Sequence, residues 1–229
     1  MTTSIIPQLV KKDLLIMRKM ILVCCLICIT SIGVLSLLYG DIPDFVFANV
    51  GFTALIAPAA VCGIILLMKT NVDEKEKSTQ IFIMTLPVTV KEFTLAKLLV
   101  NLPVFSAIWI VVTAVAVYFC FGLGLFPLGT VPFITMVFLG VFVAYTCILS
   151  VSLLCQSLQM TILAIMFFEI GTSAYLWVIA YFDPISNYIY GPGAVWNTAA
   201  MAIVTLQLLV AVSAIVVTVF IQNGKRDFI

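Results

Sequence analysis

The chain has 229 residues, of which 64% are hydrophobic and 9% charged, with eleven Lys and Arg against ten Asp and Glu and no His. That is too little charge to cover a soluble domain, and the long apolar runs argue for membrane spans. Net charge is close to zero and names no partner, and no nucleic-acid partner is expected; where the charges fall is more informative.

In chain order, residues 4–19 come first. Ile5, Ile6, Leu9, Val10, Asp13 and Met17 recur at helical spacing, with Lys11, Lys12, Arg18 and Lys19 beside them. The pattern suits an amphipathic helix anchored at a membrane surface. This charged segment is too long for a cleavable signal peptide, and the apolar run beginning near Met20 is long enough to span, so the first span is expected to be retained. About 20 helical residues cross a hydrocarbon core. Runs of that kind lie near 20–39, 45–68, 98–121, 131–154, 160–181 and 199–221. The fold expected is therefore an all-α integral membrane domain of six helices covering residues 1–229. The narrowest break is "CQSLQ" (155–159), which separates the fourth and fifth spans with polar residues but no charge.

The seven Cys (Cys24, Cys25, Cys28, Cys62, Cys120, Cys147 and Cys155) all fall inside or at the ends of apolar runs. Without His, and with a single Cys-x-x-Cys spacing at Cys25 and Cys28, no metal site is expected; the thiols read as small buried hydrophobes.

If the amino terminus lies inside, the inner segments are 1–19, 69–97, 155–159 and 222–229. Between them they hold every Lys and Arg of the chain, while the outer loops carry only Asp41, Asp44 and Asp183. Basic residues in short loops stay cytoplasmic during insertion, so both termini are expected on the cytoplasmic side.

Residues 71–97, "NVDEKEKSTQIFIMTLPVTVKEFTLAK", gather eight of the 21 formal charges (11 + 10) into one inner loop. Asp73, Glu74 and Glu76 crowd the start of a short helix, where acids complement the helix dipole. Phe82 and Leu86 share one face at i, i+4, as do Ile81 and Thr85, with Met84 nearby. Pro87 stops that helix. "TVKE" then forms a capping box, Thr89 with Glu92, opening a new helix that runs through Lys97 into the third span. Two readings stay open for the short helix: an element lying on the headgroups, or an apolar knob that docks into a groove of a soluble partner.

"EKEKSTQIFIMTLPVTVKEFTLAK" resembles the cytoplasmic loop of ABC type-2 permeases, the membrane subunits of many bacterial ABC exporters. The matching residues are Glu76, Ser78, Thr79, Leu86, Pro87, Val88, Lys91, Glu92 and Lys97, with Ser78 standing where the family usually has Gly. Length, six spans and inside termini also fit, so the likeness covers essentially the whole chain. It implies that Glu74, Glu76, Ser78, Thr79, Ile81, Phe82, Thr85, Leu86 and Pro87 form a coupling helix that contacts an ATPase. It also implies that residues 4–19 are an amphipathic connecting helix along the inner leaflet. The protein would sit in the bacterial cytoplasmic membrane, pair with a copy of itself or a sister permease, and bind a separate P-loop ATPase carrying ATP and Mg.

The chain itself has no Gly-x-x-x-x-Gly-Lys-Ser/Thr, no His-Glu-x-x-His and no Gly-x-Ser-x-Gly. No catalytic residue and no cofactor of its own are expected, and an enzyme is not the reading. Glu169, in "FFEIGTSAY", is the one ionisable residue near the middle of a span. Such a charge costs roughly 2.5–3.5 kcal/mol on insertion scales and should not face lipid. It reads either as a polar point in a translocation path or subunit interface, or as a protonated acid bonded to a neighbouring helix. Asn101, with Pro103 early in the third span, could mark a kink near the inner mouth of such a path. Tyr188, Tyr190 and Trp196 in the outer segment 183–197 suit headgroup anchors. The sparse polar content of the spans favours hydrophobic or amphipathic cargo such as a peptide, a lipid-like molecule or a drug. Two other functions remain open: a proton-coupled secondary transporter using Glu169, and a non-transporting membrane scaffold.

Overall fold

The computed structural model describes residues 5–43, 46–73 and 88–224. The segment 74–87, and with it the coupling-helix residues Glu74, Glu76, Ser78, Thr79, Ile81, Phe82, Thr85, Leu86 and Pro87, lies outside the described residues. The described residues form helices and turns with no strand, and six helical segments are long and apolar enough to cross a membrane.

Helix α1 runs from Ile5–Leu38 without interruption. The sequence suggested a surface segment up to residue 19 followed by a separate span; the structure has one rod of 34 residues instead. At 1.5 Å per residue it is about 51 Å long, well beyond a hydrocarbon core. The continuity has a local cause. Pro7 sits in the first turn, where a missing N–H costs nothing, and no Gly or Pro follows before Gly33. Its buried stripe, Leu9, Asp13, Met17, Cys24, Cys28 and Leu35, is likewise continuous.

Helix α2 (Phe52–Leu67) is flanked by π-helical turns, Phe47–Gly51 before it and Met68–Val72 after it. Helix α3 (Val90–Val117) opens on the capping box expected at Thr89: Glu92 N–H donates to Thr89 Oγ1 at 3.2 Å, and Thr89 N–H donates to Glu92 Oε2 at 2.9 Å. Helix α4 (Val131–Cys155) ends where Gln156 takes a left-handed conformation (φ 46°) and Ser157 is extended, before α5 (Leu158–Tyr181) begins. The turn at "CQSLQ" is therefore a true break. A short helix, Asp183–Ser186, and an irregular outer segment lead to α6 (Thr198–Gly224), whose first turn is held by the Asn197 side chain accepting from Ala200 N–H at 2.8 Å.

Helix α4 is the hub. It packs against α5 and α6 and touches α2 and α3, while α1 packs on α2 and α3. The centre is aromatic: the Phe105 and Tyr145 rings stack with centroids 3.7 Å apart, and Trp109 Nε1 donates to Phe138 O at 3.1 Å. Gly63 lets α2 approach this stack, since a Cβ there would stand 2.5 Å from the Phe105 ring. Leu15, Leu26 and Ile29 on α1, Phe167, Ile170 and Trp177 on α5, and Leu206, Leu209 and Phe220 on α6 are exposed. In a bilayer these faces meet acyl chains or another protein instead of water.

A candidate coupling site at the basic end of the bundle

Alternation of the helices puts the start of α1, the end of α2, the start of α3, the end of α4 and the end of α6 at one end of the bundle. The described Lys and Arg residues, Lys11, Lys12, Arg18, Lys19, Lys69, Lys91 and Lys97, all belong to the segments at that end. Among them Lys97 departs from its expected place. The sequence grouped it with the solvated loop charges, yet its side chain is buried.

Its ammonium makes three contacts that explain how it stays there. Lys97 Nζ lies 2.9 Å from Asp13 Oδ2, donates to the Thr70 carbonyl at 2.8 Å, and stands 5.3 Å from the centre of the Phe93 ring. Asp13 is itself 2% exposed and has Lys12 Nζ 3.1 Å from its other oxygen. A buried charge is tolerated only when paired and hydrogen-bonded; Lys97 meets both conditions, whereas Asp13 is paired through both oxygens but its Oδ1 accepts no hydrogen bond among the described residues.

The neighbouring polar groups extend the joint. Thr70 Oγ1 donates to Asn101 Oδ1 at 3.1 Å, and Asn101 Nδ2 donates to the Lys97 carbonyl at 2.9 Å. Tyr145 on α4 donates to the Asn101 carbonyl at 3.3 Å, and Asn71 Nδ2 reaches Ser152 Oγ at 3.4 Å. On the far side of α4, Gln222 of α6 donates to Leu153 O at 2.7 Å. Among the described residues, these contacts tie α1, α2, α3, α4 and α6 into one polar layer.

That layer holds the leading root of the segment 74–87, and an apolar cluster beside it holds the trailing root. At the leading root, Lys69 pairs with Asp73 at 2.7 Å within the π-turn that ends α2, and Thr70 of the same turn receives Lys97. At the trailing root, the Thr89–Glu92 box fixes the first turn of α3, while Val88 and Phe93 pack against Leu9 of α1, with Ile5, Ile6 and Val10 around them. The N-terminal turns of α1 therefore clasp the exit of the loop.

Asn101 and Glu169 were grouped by sequence as path or interface residues. The structure buries Asn101 in the polar layer, whereas Glu169 is exposed on α5, a helix that packs chiefly on α4. The two are not brought together. The pair Asp13–Lys97 was missed, although Asp13 interrupts an apolar stripe between Leu9 and Met17, the mark of an acid that must find an interior partner. Among the described residues no group of three His, Cys, Asp or Glu could hold a metal ion. Tyr188, Tyr190 and Trp196 are exposed at the opposite end, where Gly129 N–H donates to Gly191 O at 3.0 Å and no Cβ fits at Gly129 because it would run into the Tyr188 carbonyl. Comparison with protein-family models, with curated proteins and with solved structures gives no match in any of the three.

Proposed function

We propose that this multi-pass chain is the membrane subunit of an ATP-driven exporter of the ABC type-2 permease kind, moving hydrophobic or amphipathic cargo. The observation that carries the reading is the polar layer at the leading root of the segment 74–87, together with the apolar cluster that seats its trailing root on α1. A push on that segment is passed to α1, α2 and α3 together, because Lys97 links them through Asp13 and the Thr70 carbonyl. A lever of this kind suits a transporter whose two global states are set by a soluble motor, which stabilises one packing of the helices over the other.

In this reading residues 75–86 are the coupling helix, with Phe82 and Leu86 as its anchors. The motor is a separate P-loop ATPase holding ATP and Mg, and the membrane is the bacterial cytoplasmic one with both termini inside. The clasp of α1 around the loop exit supports a connecting role for its first turns. The uncovered face of α5 supports pairing with a second permease, because a mid-span acid needs a polar counterpart. The same exposure of Glu169 also supports a second reading, a proton-coupled transporter in which Glu169 carries the proton.

The experiment is to extract the tagged chain from its native membrane in mild detergent and identify its companions. A stoichiometric P-loop ATPase is expected, lost in Phe82→Glu and Leu86→Glu while each variant keeps wild-type yield and elution. A chain that emerges alone, with transport that follows a proton gradient and stops in Glu169→Gln, overturns the permease reading in favour of the second.

A further inference from the structure

Beside its buried stripe, about a third of a turn around the helix, α1 carries a second stripe on which Lys11, Leu14, Leu15, Arg18 and Leu22 are exposed, while Val10 and Ile21 at its edge pack partly against the core. Val10, Leu14, Ile21 and Leu22 line a shallow, open apolar groove there, formed by α1 alone, and its charged members are Lys11 and Arg18. Seven residues apart, these two stand nearly one above the other, about 10.5 Å apart along the axis. Both are exposed, and neither makes an ion pair among the described residues. Leu14 and Leu15, set between them, are 39% and 62% exposed.

Depth decides what such a groove meets. A helix needs about 20 residues to cross the core, and α1 has 34. If its apolar run from residue 20 onward spans, residues 5–18 stand at headgroup level and just beyond. Along the groove the two cations then stand toward the shallow side, with Leu14 and Leu15 between them, and the deep end beyond Arg18, formed by Ile21 and Leu22, is wholly apolar. That is the order of a phospholipid, headgroup then chain. An inorganic anion has no use for the leucine wall, and an apolar ligand has none for the two cations.

We propose that this groove is a site for one anionic phospholipid, its phosphate held between Lys11 and Arg18 and an acyl chain laid along Leu14, Ile21 and Leu22. The site is independent of the transport reading. It differs from general attraction to an anionic leaflet because position on the helix matters as well as charge. Lys19 follows Arg18 directly and lies at the same depth, but it points about 100° away from it and does not line the groove.

The full chain is reconstituted into nanodiscs of phosphatidylcholine containing a trace of spin-labelled phosphatidylglycerol, and the immobilised fraction of label is measured. Arg18→Gln and Lys11→Gln are each expected to lower the preference for the anionic label about fivefold, while Lys19→Gln leaves it unchanged. Leu14→Trp keeps every charge, fills the groove and is expected to expel the label, so the site can be read even if Arg18→Gln does not fold. Equal loss in Arg18→Gln and Lys19→Gln would overturn the proposal, leaving surface charge alone. Equal immobilisation of labelled phosphatidylcholine would also overturn it, as would displacement of the label by millimolar inorganic phosphate.

Discussion

A lysine whose ammonium is shared between a carboxylate and a backbone carbonyl, out of reach of water, contributes little net stability. Burying both charges costs several kcal/mol per ion, which the attraction and the hydrogen bonds only roughly offset. Removing one partner is different, because the survivor stays buried and uncompensated. Lys97→Met is therefore expected to destabilise the fold by about 3–5 kcal/mol, and Asp13→Asn combined with Lys97→Met to recover much of that loss. The buried thiols Cys24, Cys28, Cys62 and Cys120 supply the readout, since a thiol-reactive dye labels them only as the helices open. A single Lys97→Met variant opening at the wild-type temperature would show that the pair holds nothing. The residue scale is also where the sequence was least legible: Lys97 stands among loop charges in the chain, and only the approach of α1 and of the Thr70 carbonyl removes it from water.

Among the helices, α3 has the most sharply defined start. The Thr89 and Glu92 side chains satisfy amides that would otherwise be orphaned at the first turn, in the reciprocal pattern their spacing announced. Thr89→Ala is expected to cost about 1 kcal/mol and to speed hydrogen exchange at the amides of residues 90–93 while leaving the rest of α3 protected. Unchanged exchange there would mean that the packing of Val88 and Phe93 on Leu9 holds the turn without the cap. Such local devices are readable because they involve residues three or four apart. The break at 155–159 belongs to the same class, as polar residues between two apolar runs, and Gln156 and Ser157 supply the backbone turn. The continuity of α1 does not. Its charged and apolar halves have different solvents, so composition suggests two elements, but nothing in its backbone chemistry stops the hydrogen-bond ladder between them.

Across the whole bundle, packing is uneven. Helix α4 is covered on several sides, whereas α5 leans mainly on α4 and leaves Glu169, Ile170 and Trp177 open. Because Glu169 is exposed among the described residues, Glu169→Leu is expected to change the unfolding temperature little, by the equivalent of about 0.5 kcal/mol or less. Under the proposed permease function, transport, or pairing of two copies measured by the mass of the purified assembly, is expected to fall. Loss of the folded chain itself in Glu169→Leu would place the acid in the internal architecture and remove the argument for an uncovered functional face.

Six apolar runs, the collection of Lys and Arg into alternate segments, the capping box and the turn between α4 and α5 were all readable from the chain, because each depends on composition or on neighbours a few residues apart. The pairing of Asp13 with Lys97, the burial of Asn101 beside Thr70, the clasp of α1 on Val88 and Phe93, and the exposure of Glu169 were decided only when the helices packed. Those contacts join residues separated by tens of positions, and a helix of amphipathic or uniformly apolar character does not state which neighbour will cover which face. Which polar groups are buried together, and which are left open, follows from interhelical approach rather than from the period of the sequence.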